Sequence, residues 1–271
     1  MTAGGVIESI RQLELPNSFT VDNYAGHHAA LYHRLSSRAA GGLEPYVDRI
    51  SPDARVLDLA CGAGRLAEKL VGQGNDVVGV DLAEAMLDRA RAQVDAVPRS
   101  RPGRGTAEFV CADIRTWRPD SAFDVVTVVG LTLSLFAPED RAAILRTAAA
   151  CVRPGGRVLV DFLPADGVSD DTRLYVVPVR LAAMRGFSLI EARRDATART
   201  QLADLYTELS RSDGQVVRMF SSTTSVLLAT RAVLAEAAVA GLSPLRPDEP
   251  AERITFGNQE LGCLVEFERT R

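Results

Sequence analysis

The densest chemistry in this sequence lies in Val56-Leu57-Asp58-Leu59-Ala60-Cys61-Gly62-Ala63-Gly64-Arg65-Leu66-Ala67, an apolar run that passes through two glycines into a helical pattern. Gly62 and Gly64 let the backbone turn tightly and let a ligand approach without a Cβ in the way. Alone, the loop is ambiguous: Gly62-x-Gly64-x-x-Ala67 also satisfies the dinucleotide fingerprint, so a nicotinamide enzyme is one reading. Asp58 stands four residues before Gly62, where a dinucleotide fold keeps apolar residues, and an acid there suits a cationic ligand. Asp81 ends the next apolar run, where a carboxylate can accept both ribose hydroxyls of either cofactor. Asp113, in Phe109-Val110-Cys111-Ala112-Asp113-Ile114, can take the exocyclic amine of an adenine. The N–H of Ile114 can face a ring nitrogen there, with Met86 and Ile114 as apolar flanks. A purely structural reading also exists: Asp58 can satisfy backbone donors in the loop, and Asp81 and Asp113 can cap the helices that follow them.

These residues need a scaffold, and the surrounding pattern supplies one. From Arg55 onward short apolar runs (VLDLA, VVGVDL, AEFVCADI, FDVVTVVGL, RVLVDFL) alternate with helical patterns (RLAEKLVGQG, AEAMLDRARAQV, RAAILRTAAACV). Apolar strands separated by amphipathic helices indicate a parallel sheet covered on both faces. Right-handed crossovers make it doubly wound, with ligand outside the carboxyl ends of the first strands. Val152-Arg153-Pro154-Gly155-Gly156 is expected to end a helix and turn the chain sharply. Residues 17–40 read as a polar and aromatic helical lead-in without a strand pattern. After Leu163, runs such as FSLIEARRDATA, LADLYTELSR and QVVRMFSSTTSVLL, the last two separated by Ser212-Asp213-Gly214, indicate added antiparallel strands. The expected division is a helical lid over 1–45, a core over 46–163, an inserted antiparallel region over 164–228, and the rest of the core over 229–271. In that last part a helix (Thr230 to Ala240) precedes strands near Leu242 to Leu245 and over Leu261 to Glu268.

Over about Val56 to Leu163, and again in the closing strand, the chain resembles the class I S-adenosylmethionine (SAM) dependent methyltransferases. The D-x-x-C-G-x-G loop, the acid after the second strand, the A-D-I element, F-D-V-V and the R-P-G-G turn stand in that family's order and spacing. The resemblance implies an α/β, Rossmann-like mixed seven-stranded sheet with its last strand antiparallel. It places Asp58, Ala60, Gly62 and Gly64 around the methionine end of SAM and Asp81 and Leu82 at the ribose. Met86, Ala112, Asp113 and Ile114 then surround the adenine, with Val129 also beside the cofactor.

Methyl transfer from a sulfonium is an in-line displacement whose leaving group departs neutral, so a protein has mainly to align the nucleophile and exclude water. A hydroxyl acceptor benefits from a base, whereas an amine need only arrive deprotonated. All three histidines fall in His27-His28-Ala29-Ala30-Leu31-Tyr32-His33. On a helix His28 and Tyr32 share a face with His27 close by, which makes the three candidates for catalysis; a solvated helix with incidental histidines is the plainer alternative. Tyr24 or Tyr32 can face the sulfonium through a cation–π contact. Gly130-Leu131-Thr132-Leu133-Ser134 occupies the place where family members carry a G-N-S-L type element facing the substrate; Leu131 replaces the Asn, leaving Thr132 as the polar candidate. In the antiparallel region Arg193, among other arginines, suits an acidic or polar small molecule, and the same surface suits a homodimer.

The formal net charge of −4 gives no overall reason to bind nucleic acid or an anionic membrane. Arg99, Arg101 and Arg104 alone are a meagre start for an RNA patch. Four scattered cysteines indicate neither a zinc site nor a disulfide framework, which fits the cytoplasm. The longest nearly apolar stretch, Val125 to Ala137, is shorter than the roughly 18 residues that cross a bilayer. The leading expectation is therefore a soluble methyltransferase acting on N or O of a small molecule. A methyltransferase-fold protein catalysing a step such as cyclisation, and a SAM-binding partner subunit without turnover, are the alternatives.

Overall fold

The computed structural model describes residues 5–22, 31, 42–98, 103, 105–256 and 259–270. In chain order the elements are α1 (Val6–Arg11), β1 (Ser18–Thr20), α2 (Glu44–Val47), β2 (Arg55–Leu59), α3 (Arg65–Gln73), β3 (Asp76–Asp81), α4 (Glu84–Asp95), β4 (Ala107–Cys111) and β5 (Phe123–Val128). A 3-10 turn (Thr132–Leu135) leads to α5 (Pro138–Cys151), β6 (Val152–Phe162), β7 (Asp171–Leu181), β8 (Met184–Asp195), β9 (Thr200–Ser210) and β10 (Val216–Val226). The chain closes with α6 (Thr230–Val239), β11 (Leu242–Pro244), β12 (Glu252–Phe256) and β13 (Gln259–Arg269). It divides into two compact units, Met1–Ser36 with Gly167–Leu227 and Ser37–Asp166 with Leu228–Arg271.

The larger unit is a mixed sheet in the order β11-β13-β6-β5-β2-β3-β4, with β12 added on β13. β4, β3, β2, β5 and β6 pair in parallel, whereas β13 runs antiparallel to β6. Four of the five β2 residues are buried, as expected for a central strand covered on both faces. α3 turns Leu66, Ala67, Leu70 and Val71 into a core shared with Val56, Val77 and Val125 of the sheet. The helix stops at Gly74, whose φ of 107° only glycine adopts readily.

The smaller unit is a five-stranded sheet in the order β1-β10-β9-β8-β7, antiparallel except for β1 against β10. α1 packs Ile7 against Tyr206 and Phe220, and Leu31 joins Val179, Leu209 and Met219 in a separate apolar cluster. The buried Glu191 carboxylate accepts the Val6 and Ile7 N–H groups, both at 3.1 Å, and so satisfies the open donors at the start of α1.

Three expectations need correction, and one strand, β7, is not legible in the sequence. Residues 17–40 contain a strand, β1, whose register on β10 pairs Ser18 with Arg218. β7 carries no clear alternation in sequence, and it tolerates Pro178 because it is the edge of its sheet, where a missing donor costs little. The Arg153-Pro154-Gly155-Gly156 turn lies inside β6 rather than before it. Val152 already pairs with Phe123 and Arg157 with Val125, so the turn is an excursion in the ladder, with Gly155 at φ 72°. β12 adds an eighth strand to the expected seven.

Candidate functional site

The glycine loop joins β2 to α3 through three residues with positive φ: Ala60 (61°), Gly62 (53°) and Gly64 (74°). The Ala60 and Cys61 N–H groups both donate to the Val80 carbonyl, which fastens the loop to the end of β3. A Cβ on Gly62 would meet nothing within 4 Å, so its hydrogen face is open space, whereas one on Gly64 would lie 2.8 Å from the Ala90 Cβ. Gly62 thus leaves room for a ligand, and Gly64 lets α3 start close against α4.

Asp81 closes the loop from the neighbouring strand. Its Oδ2 accepts the Gly62 N–H and its Oδ1 the Ala83 N–H, each at 2.9 Å. A carboxylate has about four acceptor positions, so each oxygen retains capacity for a ribose hydroxyl. Leu82 beside it is 64% exposed, a large apolar side chain left uncovered, while Met86 and Ile114 are buried and Ala112 is half-buried.

Asp58 is buried at the end of β2, and the Thr127 hydroxyl donates to its Oδ1 at 2.7 Å. Burial pushes its carboxyl up from an ordinary 3.8 to about 7; the Thr127 bond pulls it down, and the Asp81 charge raises it further. Arg65 lowers it and Asp161 raises it. The arrangement gathers three carboxylates near one guanidinium at the carboxyl ends of β2, β3 and β6, a setting that favours a cation.

Asp113 is differently placed. Arg115 donates its backbone N–H and Nε to Oδ1 and its Nε and Nη2 to Oδ2, at 2.6–3.0 Å, and Nη1 reaches Asp140 at 2.8 Å. The Arg115 side-chain bonds, then its backbone bond, hold the Asp113 carboxyl below the usual carboxylate range. The acceptor expected for an adenine amine is thus already engaged by Arg115.

Of the remaining expected residues, Val129 is buried at the end of β5 and Leu131 is half-buried in the left-handed region at φ 63°. Thr132 is buried and its hydroxyl donates to the Val129 carbonyl at 2.9 Å. Its single proton is therefore spent locally. Arg193 belongs to the other unit, on β8, where Nη2 pairs with Asp204 at 2.7 Å. Tyr24, His27, His28 and Tyr32, as well as Arg99, Arg101 and Arg104, lie outside the described residues.

Sequence reading missed two residues of this site, Asp161 and Tyr46. The Asp161 carboxylate is buried on β6, accepts the Gly130 N–H (2.9 Å, Oδ2) and the Leu131 N–H (2.7 Å, Oδ1), and also accepts the Tyr46 hydroxyl. Burial raises Asp161 to about 6, against the opposing pull of these three donors. Burial and the Asp161 charge hold the Tyr46 phenol well above its usual value. A lone acid in the apolar run RVLVDFL was the available signal for Asp161. Tyr46 carried none. Among the described residues no group of His, Cys, Asp and Glu side chains is placed to hold a metal, and no described helix is long and apolar enough to cross a membrane.

Buried acid, open glycine, ribose-ready carboxylate and apolar flanks together suit SAM. Residues 56–156 match the family described as a methyltransferase domain. A carboxy-S-adenosyl-L-methionine synthase from Photobacterium profundum is 28% identical over 155 residues, 54% of this chain and 60% of that protein. The chain spans about half the length of the curated relatives it matches. The sugar N-methyltransferase KedS8 from a Streptoalloteichus species superimposes with a TM-score of 0.73 at 21% identity, covering 95% of this chain and 98% of that one. CalS10, an amino pentose methyltransferase from Micromonospora echinaspora, gives 0.66 at 22% identity, covering 88% and 96%. Residues 56–156 match the methyltransferase-domain family, and the chain that carries them has the fold of the class I, SAM-dependent methyltransferases.

Proposed function

We propose that this protein transfers the methyl group of SAM to a nitrogen or oxygen atom of a small molecule, in a biosynthetic tailoring step. The observation that carries the reading is the buried Asp58 beneath an open Gly62, beside an Asp81 that keeps acceptor capacity. In this reading Asp58, Ala60, Gly62 and Gly64 surround the methionine end of SAM, Asp81 and Leu82 the ribose, and Met86, Ala112, Asp113 and Ile114 the adenine, with Val129 beside them. The cofactor supplies the methyl group; the protein supplies a negative, dry setting and an aligned acceptor. The leaving thioether is neutral, so no acid is required at the sulfur. His27, His28 and Tyr32 are the proposed source of a base where the acceptor is a hydroxyl, and Tyr24 or Tyr32 faces the sulfonium. Leu131, Thr132 and Arg193 are proposed to contact the acceptor.

The curated relatives cover about half of this chain and carry names with different acceptors, and so they say little about the acceptor. The sugar N-methyltransferase KedS8 and the amino pentose methyltransferase CalS10 match over 95% and 88% of this chain, which supports an amine on a small polar molecule. The test is incubation of the purified protein with methyl-labelled SAM and a small-molecule extract of its source cells. Label in one low-mass compound supports the reading and identifies the acceptor. Measurable SAM binding with label in no product overturns it in favour of a non-methylating role, for which Leu131 in place of the family's Asn is the specific pointer.

A further inference from the structure

The turn after β5 is held in an unusual way. Gly130 has φ 81° and Leu131 φ 63°, two consecutive residues in the left-handed region, and for leucine that conformation costs about 1 kcal/mol. Gly130 is exposed, so the upper side of the turn is open. Its underside is closed, because two successive N–H groups point down onto the two oxygens of the buried Asp161. Consecutive amides converging on one anion form a nest, a strong and directional seat for a carboxylate. Tyr46, on α2 ahead of the larger sheet in the chain, donates its hydroxyl to the same carboxylate. The turn is also tied laterally: the Leu163 N–H donates to the Ser134 Oγ at 2.9 Å, and a Cβ on Gly262 would lie 2.6 Å from the Leu131 Cδ2.

An ion buried this deeply is costly, and packing alone would be served by an apolar side chain. Three donors occupy three of the about four acceptor positions of Asp161 from within the fold, leaving it poorly suited to act as a base. What it does is fix a strained backbone whose other side faces outward.

We infer that Asp161 and Tyr46 are positioning residues: they hold the Gly130–Leu131 turn in its left-handed form and through it align the acceptor with the methyl group. This rests on the methyl-transfer reading above. Neither residue needs to touch substrate. Tyr46→Phe disturbs the turn while the Asp58, Asp81 and Asp161 charges all stay in place, so it should lower turnover without weakening cofactor binding.

The experiment uses the full chain with Tyr46→Phe and Asp161→Asn. Phenylalanine removes one donor to the carboxylate and keeps the ring; asparagine presents an NH2 group to one of the two amides. Three quantities are compared with wild type: hydrogen exchange of the Gly130 and Leu131 amides, SAM affinity by calorimetry, and kcat with KM for the labelled acceptor. The expected result is exchange about tenfold faster at these two amides and kcat lower by about tenfold in both variants, with SAM affinity within about twofold of wild type in Tyr46→Phe, which keeps all three carboxylate charges. Should Asp161→Asn fail to fold, Tyr46→Phe carries the test alone. Unchanged exchange, unchanged kcat, or a Tyr46→Phe SAM affinity that falls in step with kcat overturns the positioning role. A wild-type protein that methylates nothing overturns the methyl-transfer reading and the aiming role with it, and that failure is seen before any variant is made.

Discussion

The Asp58 carboxyl is enclosed beneath the glycine loop, and Asp58→Asn removes its charge while keeping its shape and an oxygen for the Thr127 hydroxyl. Burial raises this carboxyl from 3.8 to about 7, so the folded protein holds the proton more tightly than the unfolded chain does. Between those two values folding takes up a proton, and stability therefore falls as pH rises from about 4 to about 7. The part of this window between pH 5 and pH 7 spans about 2 pH units, worth ~3 kcal/mol at about 1.4 kcal/mol per unit. The variant lacks that slope. Asp161, raised to about 6 by its own burial, contributes to both proteins and largely cancels in the difference. For a chain of this size ~3 kcal/mol corresponds to roughly 6–12 °C in Tm. Thermal unfolding followed by circular dichroism at pH 5 and pH 8 should show the Asp58→Asn variant gaining about that much on wild type between the two pH values. Binding should move the other way. A cation pairs with the ionised form, so wild-type affinity for SAM rises with pH toward 8, while the variant binds about tenfold or more weakly at pH 8 and without that slope. Equal pH slopes of Tm in the two proteins would refute the assignment of Asp58 as a carboxyl made costly by burial.

Further substitutions separate the parts of the site. Gly62→Ala is expected to cost only about 1 kcal/mol in stability, from its left-handed backbone, yet to weaken SAM binding because the added methyl enters the open cradle; Gly64→Ala, which also strikes Ala90, should cost about 2–4 kcal/mol, and denaturant titration with calorimetry distinguishes the two. If Asp113 reads the adenine amine alongside Arg115, wild type should prefer S-adenosyl- over S-inosyl-homocysteine by about tenfold, and Asp113→Ala should abolish the preference in competition binding. Glu191→Ala strips the N-terminus of α1 of its acceptor and should cost about 1–2 kcal/mol, with faster amide exchange at Val6 and Ile7 as the local readout.

Much of the larger unit was legible because a parallel sheet writes itself as continuous apolar runs. β2, β3 and β5 fall where VLDLA, VVGVDL and FDVVTVVGL predict them, RVLVDFL supplies the second half of β6, and the glycine loop lies between β2 and α3 as its spacing requires. The strands of the smaller unit were legible where alternation was clean, as in β9 and β10 with their Ser212-Asp213-Gly214 turn. β1 was not, because three exposed residues paired at a sheet edge leave no hydrophobic period to read. Nor was Tyr46: a tyrosine becomes part of the site only when a carboxylate 115 residues away folds onto it. Local patterns report local structure, and contacts this distant belong to topology.

The three acids that meet at the strand ends show why residue type alone could not assign roles. Asp81 spends one acceptor position on each of two loop amides and keeps the rest, so it both shapes the loop and remains available to a ligand. Asp161 spends three of its about four positions on Gly130, Leu131 and Tyr46, and is locked into the scaffold. Asp58 receives one described hydrogen bond, from Thr127, and is the acid most in need of a cation. All three are aspartates at the ends of apolar strands. What separates them is the number of donors the fold delivers to each: the acid given fewest is left most costly when ionised, and is for that reason the one a sulfonium or ammonium group would stabilise most.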